Sequence, residues 1–375
     1  MARNARLLAA ALAAVLGAAI LSASVGAQAL SENALLIEHW DGAAWTLTPA
    51  PAPPGGSELS AVTAISPTNV WAVGSFVKTT GTTLTWHPLA EHYDGNSWSP
   101  VVLPTSDENV QSGLVAVSGS SAKDVWAVGS NGGRTLVEHY NGTAWKLVPS
   151  LSTAGSALAG VAAISPQNAW AVGSTMTSTG KKRTLIEHWN GSVWQRVPSP
   201  DPGSEAELLA ISAWSARNIW AVGDYRFKGH TRTLTLHWNG NRWDIDWNPS
   251  TQEWDSGLRG VTATSARYAW SVGSSRKAGG YRPLTEWRYF CTWYRISAPF
   301  SSNDVIDLNA VSGLSGHDVW AVGSRGGTPE TLAEHWNGSK WVVKPTADPQ
   351  VPAVLRGVVA VSAADVWAVG SSTAP

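Results

Sequence analysis

The sequence predicts an all-β fold, a seven-bladed β-propeller of four-stranded blades whose ring is closed by an N-terminal and a C-terminal half-blade. Three observations predict it. A unit recurs seven times, with steps of 55, 44, 50, 50, 50 and 47 residues between equivalent tryptophans, a period that fits propeller blades. Each unit reads as four short strands separated by turn residues. The chain also opens on the second half of a unit and closes on a first half, so that pairing the two ends removes both open sheet edges.

The first half of the unit is L-x-[G/A]-[V/I]-x-[A/G]-x-S-x-x-[N/D]-x-W-A-V-G, with tryptophans at Trp71, Trp126, Trp170, Trp220, Trp270, Trp320 and Trp367. Ser271 is the one substitution inside W-A-V-G. The second half, T-L-x-E-H-[W/Y]-[N/D]-G-x-x-W, ends at Trp45, Trp98, Trp145, Trp194, Trp243, Trp293 and Trp341. In the unit spanning 158–200, strands are expected at 158–165, 169–174, 184–189 and 192–197. The Asn190-Gly191 pair predicts a two-residue hairpin turn with positive φ at both positions. Seven halves of each kind make six intact blades and one shared by the termini.

Residues 1–29 read as a secretory signal. Arg3 and Arg6 precede an apolar run at 7–21, and Ala27-Gln28-Ala29 fits a small-x-small cleavage site. That run is short for a membrane span of ~20 residues, so residues 30–375 are expected to form one secreted or envelope-associated propeller domain. Losing two arginines and no acids moves the formal charge from −1 to −3. So small a net charge argues against general nucleic-acid binding. Cys291 is the only cysteine, which excludes an internal disulfide. A monomer is expected.

Down the chain, the blades differ mainly between their second and third strands. The first intact blade has its longest insertion at 76–88, with Trp86 and His87 outside the repeat; the next has only Asn131-Gly132-Gly133. The third carries Lys181, Lys182 and Arg183. The fourth carries 224–232, with Tyr225, Arg226, His230 and Arg232, followed by a connector at 248–257 that includes Trp254 and Asp255. The fifth departs most, with Tyr268 in place of the usual Asn/Asp and Glu286-Trp287-Arg288-Tyr289-Phe290 in place of E-H-W-N-G. Arg276, Arg282 and Arg325 continue the basic series. Second-to-third loops and interblade connectors share one propeller face. Variable segments on a rigid scaffold are the usual place for recognition.

These repeats resemble those of the secreted bacterial propellers rich in W-A-V-G, which are related in style to kelch and galactose-oxidase central domains. The likeness covers 35–371 and implies secretion and a binding or cell-surface role. The hairpins resemble the Asp-box more weakly: Gly191 and Trp194 match its spacing, whereas Glu187 and Trp189 stand where its Ser and Asp would be.

Several constellations admit a plain structural reading. Adjacent strand residues point to opposite faces, so the Glu-His pairs cannot chelate together, and interblade hydrogen bonding is expected of them instead. Nineteen tryptophans belong to the repeat, with Trp287 counted in the third-strand set. Trp214 is expected to pack, leaving Trp86, Trp247 and Trp254 as aromatic anchors. The basic residues predict an arc for an anionic ligand such as an acidic glycan, offset by acids in the connectors. Cys291 near Tyr289 and Tyr294 lacks the convergent ligands that copper chemistry needs. The Asn141, Asn190 and Asn337 sequons are read first as hairpin turns. No cofactor or metal is expected.

The leading functional expectation is a non-catalytic propeller that binds a glycan or an extracellular protein through the variable face. A carbohydrate-active enzyme would need two carboxylates in one pocket, for which Asp224, Asp255 and Glu253 are the candidates. A structural envelope or matrix protein is the third reading.

Overall fold

The computed structural model describes residues 33–373 except 82, 105–108, 152, 250–254, 278–279, 301–303 and 348. The expected signal at 1–29, and Glu253 and Trp254, therefore lie outside the described residues. Seven four-stranded antiparallel sheets form the chain. Blades 1 to 6 run from 57–100 to 306–344, and blade 7 combines 353–373 with 33–47. In blade 3 the strands are Ser156–Ser165, Asn168–Met176, Lys182–Trp189 and Trp194–Arg196. The first strands of neighbouring blades lie side by side around the axis, and the fourth strands form the outer edge.

The ring closes through its termini. Strand Asn33–Trp40 pairs with Asp365–Thr373 over eight residues, from Asn33 opposite Thr373 to Trp40 opposite Val366. The third strand of blade 7 therefore comes from the start of the chain and the second from its end.

Tryptophans hold one blade to the next. In each W-A-V-G, the indole meets the hairpin-closing tryptophan of the following blade edge-on. The centroid separations are 5.3 Å for Trp71–Trp145, 5.2 Å for Trp126–Trp194 and 5.3 Å for Trp98–Trp367. The last of these holds blade 7, the blade built from both termini, to blade 1. Edge-to-face packing at such separations suits the aromatic quadrupole. A third-strand aromatic adds to each contact, as Trp238 does at 4.8 Å from Trp170. Blade 5 substitutes Arg288, whose guanidinium lies 4.4 Å from the Trp220 ring and bonds Asp246 at 3.1 Å. Trp287 itself sits opposite Trp270, the place that histidine fills elsewhere, so it does not belong to the third-strand tryptophan set.

The Glu-His dipeptide splits as strand alternation requires. The histidine faces the W-A-V-G tryptophan of its own blade and stacks on it, at 4.2 Å for His39 on Trp367 and 4.1 Å for His139 on Trp126. Its Nε2 meets the Asn/Asp two residues before that tryptophan, as in His92–Asn69 at 2.9 Å and His139–Asp124 at 2.7 Å. These histidine bonds lie within a blade; the interblade bond that the repeat suggested falls to the glutamate, as where the Ala347 amide, in the connector from blade 6, donates to Glu38 Oε2 at 3.1 Å. Tyr268 and Trp287 replace both partners of this pair in blade 5. The glutamate points the other way and is buried.

Two local expectations are corrected. The Asn-Gly turn is not a two-residue hairpin: Trp189 pairs with Trp194, leaving four residues in the loop. Only Gly191 has positive φ there, at 93°. Asn190 Oδ1 accepts the amides of Ser192 and Val193 instead, an Asx cap that needs no left-handed Asn. Asn141 and Asn337 do the same. Trp214 does not pack; it is 52 % exposed.

Candidate functional site

A pocket of about 580 Å³ opens at one end of the central channel. Its floor comes from a repeated irregularity. In each first strand the pairing register passes over one residue after the leucine, from Leu59 to Ala61 in blade 1 and likewise in the other six. Such a bulge re-aims a side chain. The residues passed over are Ser60, Val115, Ala159, Leu209, Arg259, Asn309 and Arg356, and all seven line the pocket. They fill the unconstrained second position of L-x-[G/A]-[V/I], so a single variable letter of the repeat supplies one side chain per blade.

The seven divide by chemistry. Val115, Ala159 and Leu209, on blades 2 to 4, form an aliphatic side. Arg259, Asn309, Arg356 and Ser60, on blades 5, 6, 7 and 1, form a polar side. Arg259 donates to Asp307 at 3.0 Å and to Asn309 Oδ1 at 3.2 Å, and the Asn309 amide donates to the Leu355 carbonyl at 2.9 Å. Arg356 reaches Glu58 at 3.4 Å, a carboxyl pushed above its ordinary range by burial and drawn back by that guanidinium.

Above this floor stands Asp224. The residue after W-A-V-G is serine in the other six blades (Ser75, Ser130, Ser174, Ser274, Ser324 and Ser371) and aspartate only in blade 4. Its backbone partner across the sheet is Glu207, and like charges directly opposed on a sheet are destabilising. Burial, reinforced by the Glu207 charge, pushes the Asp224 carboxyl up to about 7. Lys182 bonds Glu207 at 2.6 Å. Asp255, from the connector, joins the same wall at a left-handed φ of 53°, and its Oδ1 accepts the Thr231 amide at 3.3 Å. Thr231, Tyr281 and Pro329 from second-to-third segments complete the rim.

Of the residues singled out from sequence, Asp224, Asp255 and Arg276 line this pocket, and Lys182 supports it through Glu207. The segments 76–88 and 224–232 are paired strands rather than loops, and alternation turns half of their side chains inward. His87 is thus 7 % exposed and bonded to Thr85 at 2.9 Å, and Tyr225 is 5 % exposed. Trp86 is half-buried, and its amide donates to Gln111. The basic series is largely matched by acids: Arg183–Asp201 at 3.3 Å, Arg226–Glu205 at 3.8 Å, Arg325–Glu330 at 3.1 Å and His230–Asp255 at 3.7 Å. Arg232 lies over Phe227, Arg282 donates to the Tyr281 and Asp304 carbonyls, and Lys181 is exposed. Trp247 is exposed, and Cys291 is exposed in its turn. The bulge residues and Asp307 are the part of the site that reasoning from sequence missed.

Among solved structures, the chain is similar to one described as YCF48 bound to D1 peptide. The TM-score is 0.55 and the identity 14%, over 85% of this chain and 94% of that one. Likeness at that identity shows the fold alone. No family model matches the sequence, and no curated protein matches it.

Proposed function

We propose that this is an exported, non-catalytic binding propeller that takes a polar segment of a glycan or a protein into the channel-mouth pocket. The observation that carries the reading is the bulge ring. One position of the repeat, passed over in every first strand and aimed into the pocket, carries six different residue types across seven blades, while the leucine before it never changes. Pockets of a few hundred Å³ with an apolar side and a few convergent polar groups are the usual form of a ligand site. The propeller it resembles in fold is described with a peptide bound, which agrees with a protein ligand here. The test is to screen residues 30–375 on glycan and peptide arrays, then repeat with Asn309→Ala and Arg276→Ala. Hits lost in both variants with melting unchanged support the pocket. Hits that survive both place the ligand elsewhere.

One observation favours a second reading, a glycoside hydrolase. Asp224 and Asp255 share the pocket, and a carboxyl held near 7 suits a general acid. Turnover of aryl glycosides that disappears in Asp224→Asn would establish it; a panel without turnover leaves the binding reading in place.

A further inference from the structure

Asp224 breaks the rule of its own repeat at a cost. Six blades place a serine at this position, and the seventh sets a carboxylate opposite Glu207. Lys182 is committed to Glu207 at 2.6 Å. Arg259, the other cation whose charge acts on Asp224, is committed to Asp307 and Asn309. Among the described residues Asp224 forms no ion pair within 4 Å and accepts no hydrogen bond. Departures from a local rule with no compensating contact inside the molecule mark functional positions.

We propose that the Asp224 carboxylate receives the ammonium or guanidinium of a lysine or arginine side chain from a protein partner. The inference rests on the pocket being the binding site. The ligand would supply the charge-assisted hydrogen bond that the fold withholds. The aliphatic side formed by Val115, Ala159 and Leu209 suits the alkyl stem of such a side chain, which buries its methylenes and carries its charge at the tip. Among the described residues that wall presents no aromatic face on which a sugar ring stacks, and the one ring lining the pocket, Tyr281, stands at the rim, so a lysine or arginine is favoured over an amino sugar. Among the described residues no three His, Cys, Asp or Glu side chains form a metal-ligand set, which favours an organic cation over a metal ion. Arg276 is two residues beyond Ser274, the blade 5 counterpart of Asp224, and so stands ~7 Å nearer the rim by strand rise. There it can meet a carbonyl or carboxylate of the same partner.

The test uses residues 30–375 and fluorescence anisotropy with labelled hexalysine, hexa-acetyl-lysine, hexaglutamate and a glucosamine hexamer, with calcium as a competitor. The expected result is binding of hexalysine alone, weakened at least tenfold in Asp224→Ser and unchanged in Asp244→Asn, which removes the same charge from the outer edge. Asp224→Ser installs the residue of the other six blades, so its melting temperature is expected at or above that of wild type; a lower one would make Asp224 a structural residue and overturn the proposal. Equal binding of lysine and acetyl-lysine probes, or hexalysine binding that survives Asp224→Ser, overturns it too. Preference for the glucosamine hexamer, or displacement by calcium, transfers the site to an amino sugar or a metal ion. Ala159→Trp, which plugs the aliphatic side, separates the two levels. If hexaglutamate binds and the plug abolishes it, the pocket stands and the cation reading falls. If no probe responds to the plug, the pocket itself is not the site.

Discussion

At the scale of single residues, the W-A-V-G motif shows how a repeat encodes packing. Its tryptophan is buried in every blade and its glycine is forced by close approach. A Cβ on Gly173 would fall 2.0 Å from the Ala157 carbonyl oxygen, and one on Gly223 2.1 Å from that of Glu207. Neither contact can relax without parting the first two strands. Trp170, 3 % exposed, lies between Trp238 and Trp243 of the next blade. Trp170→Ala is expected to cost ~3–5 kcal/mol, as for other large-to-small truncations of buried aromatics. Chemical denaturation measures it, and a loss under about 1 kcal/mol would contradict the packing.

The edge strands of the join decide the behaviour of the elements. Strand Asn33–Trp40 has only the three-residue Trp45–Leu47 on its other side. Without Asp365–Thr373 it would present eight residues of unpaired backbone, a template for association with other chains. Deleting 353–375 is expected to give aggregated or unfolded protein by size-exclusion chromatography. A monomer with unchanged melting would refute closure through the termini. How legible the elements were also varied. In blade 3, hydrophobic alternation and W-A-V-G place the first three strands to within two residues, whereas in blades 1 and 4 the second and third strands run on into segments that read as loops. The fourth is only three residues long in blade 3, because the four-residue turn takes up Ser192 and Val193. The Asn-Gly signal misleads because an Asn side chain can cap a four-residue turn as well as enter a two-residue one.

For the whole molecule, the ring of buried glutamates predicts an unusual pH dependence. Burial pushes Glu91 and Glu187 up to about 7, and Glu138 and Glu334 up to about 8, from an ordinary 4.5. Their folded values exceed their unfolded ones, so the folded state holds protons that the unfolded chain releases. Their contribution is whole below about 4.5 and is lost as pH rises through 7 to 8, at up to ~1.4 kcal/mol per pH unit for each group. Melting temperature is therefore expected to fall from pH 5 to pH 8.5, and Glu138→Gln is expected to flatten that fall. A melting temperature that rises across this range would contradict the burial of these carboxyls in uncharged form.

The sequence by itself determined the blade count, the order of strands and the half-blades at the termini, because period and pattern are local properties repeated seven times. It also marked the variable letter of L-x-[G/A]-[V/I], though not what that letter does. Only the tertiary structure decided that a bulge turns Ser60, Arg259, Asn309 and Arg356 into one pocket, since convergence needs seven blades arranged about an axis. It likewise decided that most of the basic series is matched by acids from neighbouring segments, and that Asp224 is not. A charge is read from its own residue, but its partner is chosen by residues brought close through folding.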